Sequence, residues 1–200
     1  LSKRRELLIP LAFSFADRLT VGFIVSTLSL YLGLTLGFDA RAIGVAMAAF
    51  LIPFSLLTWP AGHLSRHWDP LLMMVGGSIL YGVVRAALAV VPANAVVATM
   101  AVGGVSAALM YAPSLVLAAH YGGEECRASA LAAFNMAGSL GFACGPLLSS
   151  LLLAFYASFM AHPHVPVFIS IGAIEVGLAL YVYHIARSGR LRTPAVLDSQ

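Results

Sequence analysis

The chain is expected to be an all-α, polytopic membrane protein with six transmembrane helices, and three observations predict this. Of its 200 residues, 60% are hydrophobic and only 10% carry a charge, far below the quarter usual in a soluble domain. Mean hydropathy is positive. Apolar windows recur at the length of about 20 residues that a hydrocarbon core of about 30 Å demands, and short breaks of turn and cap residues separate them.

The first window spans about 7–36 and stops at Gly37-Phe38-Asp39. The second spans 40–64 and gives way to the polar run Ser65 to Asp69. The third, 70–91, opens on Pro70 and closes at Pro92-Ala93-Asn94. Gly122-Gly123-Glu124-Glu125 separates the fourth, 94–121, from the fifth, 127–159, and His162-Pro163-His164 precedes the sixth, 165–186. Residues 187–200 read as a basic tail. Short connections make neighbouring helices antiparallel, and the longer windows have length to spare for tilt or bend.

Lys and Arg cluster on the cytoplasmic side of membrane proteins. Lys3, Arg4, Arg5, Arg66, Arg127, Arg187, Arg190 and Arg192 all fall at one side of this topology, and Arg41 alone at the other. Both termini are therefore expected to be cytoplasmic, in a bacterial inner membrane. Helices one to three and four to six each have a proline-interrupted middle helix, with Pro53 and Pro146, which points to the 3+3 inverted repeat of many transporters.

Within the fifth window, Gly138, Gly141 and Gly145 recur three or four residues apart and form a smooth face on a helix. Small residues at that spacing let backbones approach in lipid, where no hydrophobic drive joins helices. Pro146 removes a backbone donor and predicts a bend.

Ionisable groups at membrane depth are costly and tend to be functional or paired; Asp17, Arg18, Arg85 and Glu175 are four such groups. Asp17 and Arg18 are adjacent, so on a helix they diverge by about 100°. Asp17 lies roughly 15 Å from the cytoplasmic end of its helix at 1.5 Å per residue, near the midplane. Arg85 and Glu175 differ in depth by about 5 Å, and are expected to form a structural ion pair across helices three and six. Asn135 can hydrogen-bond between helices.

Cys126 and Cys144 are too few for a disulfide framework. His162 and His164 lack a third ligand, so no metal is expected. No Ser-His-Asp order, phosphate-binding glycine loop or basic-aromatic surface is present, so the reading contains no enzyme activity, no cofactor and no nucleic-acid partner.

Two motifs carry a family resemblance. Gly62-His-Leu64-Ser65-Arg66 resembles the Gly-x-Leu-Ser/Ala-Asp-Arg loop between helices two and three in a half of the major facilitator superfamily, although the family's Asp is absent here. Gly141-x-x-x-Gly145-Pro146-x-x-Ser149-Ser150 is similar to the Gly-x-x-x-Gly-Pro-x-x-Gly-Gly element of that superfamily's proton-coupled antiporters, with serines in place of the last glycines.

The resemblance implies one six-helix half, more in keeping with a C-terminal one, moving a small solute by alternating access. Gly62, Leu64, Ser65 and Arg66 then form a conformational loop, and the glycine face with Pro146 a hinge. Asp17 lines the cavity as a proton-titrating carboxylate, with Arg18 as its modulator or an anion contact. The expected partner is a second half, in the same longer chain, in a separate chain or by self-pairing. A reading of another class stays open: a non-transporting assembly subunit that docks its glycine face on a larger membrane complex.

Overall fold

The computed structural model describes residues 6–187. Lys3, Arg4, Arg5, Arg190 and Arg192, which the orientation argument uses, lie outside the described residues. Among the described residues every regular element is helical, and five stretches are long and apolar enough to cross a bilayer.

The first helix, α1 (Leu8–Thr35), is α-helical to Phe23 and then opens into two π-helical turns, Ile24–Leu28 and Tyr31–Thr35, where the sequence predicts a regular helix. Such turns widen the backbone and redirect its carbonyls. Ser26 Oγ lies 3.1 Å from both the Gly22 and the Phe23 carbonyl oxygens at the first of them. Gly37 ends α1 with a φ of 69°, a conformation suited to glycine, while the Phe38 N–H closes back on the Leu32 carbonyl at 2.9 Å.

Asp39 then caps α2 (Ala40–Leu64), its carboxylate accepting from the Ala42 N–H at 2.7 Å. Asp69 does the same for α3 (Pro70–Ala87) through the Leu71 N–H at 2.8 Å, with Pro70 in the first turn, where its missing donor costs nothing. Tighter turns from Ala86 and Ala87 end α3 before the expected residue 91.

The next element, Val96–Ala157, holds 62 residues, about 93 Å if straight. It is instead broken at Gly123, whose φ of 65° and ψ of 178° lie in a region essentially reserved for glycine. The break expected across Gly122 to Glu125 is thus a bend at one residue, joining arms that we call α4 (96–122) and α5 (124–157). The last helix is α6 (His164–Arg187).

The main contacts run between the first three helices and the last three. The glycines show where: α1 meets α5, α2 meets α4, and α3 meets both α4 and α6. An aromatic seam joins α1 to α6, with Phe23 and Tyr31 each edge-on to Phe168 at 5.3 and 5.4 Å. Arg85, Tyr81, Phe13, Phe23 and Phe134 are among the largest fully buried side chains.

Candidate functional site

The site is built on the close approach of α1 to α5. A Cβ on Gly141 would strike the Phe15 carbonyl oxygen and one on Gly145 the Leu19 carbonyl oxygen, so at both positions only glycine permits this approach. At Gly138 the added atom would lie 2.9 Å from Ser14 Oγ, and Ser14 donates across the interface to the Phe134 carbonyl at 2.8 Å. Ser149 lies with its Oγ 3.4 Å from Ser26 Oγ of α1, and both Ser149 and Ser150 donate to the Pro146 carbonyl.

Asp17 sits on α1 at 3% exposure. Its Oδ2 is 3.8 Å from Arg18 Nε, the one ion pair within 4 Å among the described residues. The two neighbours therefore approach more closely than their helical divergence suggests, because the long arginine stem can curl back. Asp17 Oδ1 is buried without a hydrogen-bond partner. Arg18 is partly exposed and its guanidinium lies 4.9 Å from the Tyr111 ring centroid, a cation–π distance.

Arg85 and Glu175 are both fully buried, on α3 and α6, but the direct ion pair expected between them is not formed. Glu175 Oε1 instead accepts from the Ser78 hydroxyl at 2.8 Å, and Oε2 lies 3.3 Å from Thr20 Oγ1. Arg85 lies over two rings, 4.4 Å from the Tyr81 centroid and 4.8 Å from that of Phe50, and its Nη1 points to Met100 Sδ at 3.7 Å. Depth along the helices puts the two charges within an arginine's reach of each other, but depth says nothing of rotation about each axis, and the rotation presents hydroxyls to Glu175 first.

Thr20, Ser78 and Tyr81 were missed from the sequence. Their signal is register: Thr20 follows Asp17 by three residues, and Ser78, Tyr81 and Arg85 recur at offsets of three and seven, so each set shares a helix face. Asn135 is exposed on α5, and among the described residues the hydrogen bond expected from it to another helix is not formed. In the loop after α2, the buried Ser65 donates to the Gly62 carbonyl at 2.8 Å and so closes the helix end, while Leu64 and Arg66 are exposed.

The arrangement puts carboxylates, guanidinium groups and hydroxyls inside an apolar helical body, suited to holding a proton or a small ion, with no group of three metal-ligating side chains among the described residues. None of the curated proteins compared with the chain matches it. The description of the family whose model matches residues 11–196 is Major Facilitator Superfamily; the helices, the apolar surface and this match together make the chain a member of that superfamily, a family of transporters.

Proposed function

We propose that the chain is one six-helix half of a secondary active transporter that carries a small solute by alternating access in exchange for protons. The Gly123 bend supports six crossings, since each arm of the long element is long enough for one span and too short for two.

An inverted 3+3 relation is supported by how contacts exchange when helices one, two and three are matched with four, five and six. The α1–α5 contact maps onto α4–α2, the α1–α6 contact onto α4–α3, and α3–α6 onto itself. Detail follows the same rule. A Cβ on Gly22 of α1 would meet the Phe142 carbonyl and lie 3.2 Å from Pro146 Cδ of α5; one on Gly104 of α4 would meet the Phe50 carbonyl and lie 2.9 Å from Pro53 Cγ of α2. Each triplet thus seats a glycine against the proline kink of the other, as related halves of a rocking unit would.

The observation that carries the coupling reading is Asp17: a buried carboxylate with one oxygen unpartnered, well inside α1, beside a partly exposed arginine. Asp17 takes up a proton when the cavity opens to one side and releases it on the other, and Arg18 answers the change in charge. The second half packs against this one in a bacterial cytoplasmic membrane, with both ends of the chain inside.

Reconstitution of the complete native particle into liposomes, with a pH gradient and a panel of solutes, tests this. Uptake driven by the gradient is expected for wild type and abolished by Asp17→Asn with normal insertion. Full, pH-independent transport by that variant would remove Asp17 from the coupling role.

A further inference from the structure

Glu175 takes no part in the mechanism above, yet it is 0% exposed, against 3% for Asp17. It sits where α6 meets α3 almost backbone to backbone: a Cβ on Gly172 would strike the Gly82 carbonyl oxygen, and one on Gly82 would lie 3.2 Å from Glu175 Cβ.

The hydrogen inventory around its carboxyl group is informative. Thr20 Oγ1 lies 3.0 Å from the Ala16 carbonyl oxygen and 3.3 Å from Glu175 Oε2. A carbonyl brings no hydrogen, and the threonine hydroxyl has one. The Thr20 hydroxyl stands in donor geometry to both oxygens; when its hydrogen lies on Ala16, in the i−4 bond that threonine makes on helices, the contact with Oε2 needs a hydrogen from Glu175 itself. Ser78 donates to Oε1 at 2.8 Å. All four oxygens are satisfied together when Oε2 carries a proton.

The charges agree. The groups facing Glu175 are Asp17 and Thr20 from α1, and Ser78, Tyr81 and Arg85 from α3, while α4 brings the uncharged Met100 against Arg85. Among the described residues Arg85 has no carboxylate within 4 Å, and its buried Nε and Nη2 make no hydrogen bond.

We propose that Glu175 is a second proton-binding site, and that Arg85 is the counter-ion that takes the proton's place. On release the O–H bond at Oε2 breaks, the electron pair stays on the carboxylate, and the proton passes to water admitted from one side. The Arg85 guanidinium leaves the faces of Phe50 and Tyr81 and turns its free N–H groups to the carboxylate. Reprotonation reverses the exchange, so one proton decides whether α6 is tied to α1 through Thr20 or to α3 through Arg85. The proposal rests on the transporter reading only for the link between this exchange and solute movement.

Infrared difference spectroscopy of the full chain in lipid nanodiscs, titrated in pH, sees the C=O stretch of a protonated carboxyl directly and needs no substrate. A band is expected that Glu175→Gln eliminates and Asp17→Asn retains. Thr20→Val and Ser78→Ala should each shift its frequency, because each removes one hydrogen bond, and these two carry the test if the Glu175 variant does not fold. Arg85→Gln should move the pH at which the band is lost by about one unit or more, as loss of a neighbouring charge does; an unmoved value removes Arg85 from the exchange. If no carboxyl band is lost in Glu175→Gln, Asp17 accounting for any band that Asp17→Asn removes, or if neither hydroxyl variant shifts the band that Asp17→Asn retains, the site is overturned. A band that behaves as expected in a particle that moves no solute leaves the proton site standing and removes the transporter reading.

Discussion

Two glycines of the same chain differ sharply in what surrounds them. Gly141 faces the Phe15 backbone, whereas Gly44 has nothing within 4 Å of where a Cβ would stand. Gly141→Leu is therefore expected to lower stability by about 1–3 kcal/mol or more, the usual cost of overpacking against a rigid neighbour, and Gly44→Leu to leave it nearly unchanged. Denaturation of both variants in the same lipid mixture checks this, and equal stabilities would contradict the close α1–α5 contact. The spacing of Gly138, Gly141 and Gly145 was legible in the sequence because helical periodicity is local. Their partner, α1, was not, since nothing in a single chain says which helix a smooth face meets. Glu175 shows the same limit, because its hydroxyl partners come from two other helices.

Along the elements, glycine and aspartate mark the ends and Gly123 marks the bend. Its backbone conformation costs a residue with a Cβ about 1–3 kcal/mol, so Gly123→Ala should destabilise by that amount. Gly76→Ala on α3, at an open helical position, should be neutral or stabilising by up to about 1 kcal/mol. Paired melting curves compare the two, and equal shifts would place no special demand on Gly123. The breaks at Gly37-Phe38-Asp39 and Asp69-Pro70 were readable because cap chemistry is encoded in adjacent residues. The π-helical turns of α1 were not, since they depend on carbonyl positions that apolar periodicity does not record. The boundary between α4 and α5 was visible as a turn, but not as a bend that leaves helical hydrogen bonding running on both sides.

For the whole molecule, the least covered helix is α2: only 11% of its most apolar window is buried, against 61% for α3. Leu51, Ile52, Leu56 and Trp59 form part of its exposed apolar surface, which suits lipid or another helical body. Native mass spectrometry of the particle extracted from its own membrane is expected to find a second six-helix segment, in this chain's own continuation or beside it. Large unrelated subunits in fixed ratio would instead favour an assembly role and remove the half-transporter reading. The exchange of partners between the triplets also constrains how the molecule is made. Since α1 finds its close neighbours in α5 and α6, α2 in α4, and α3 in α4 and α6, the first three helices are synthesised before their chief partners. Until those partners arrive Asp17 lacks the enclosure that α5 provides, and Arg85 has only the rings of Phe50 and Tyr81, from α2 and α3, to lie against, so these charges weigh on the making of the chain as well as on the finished fold.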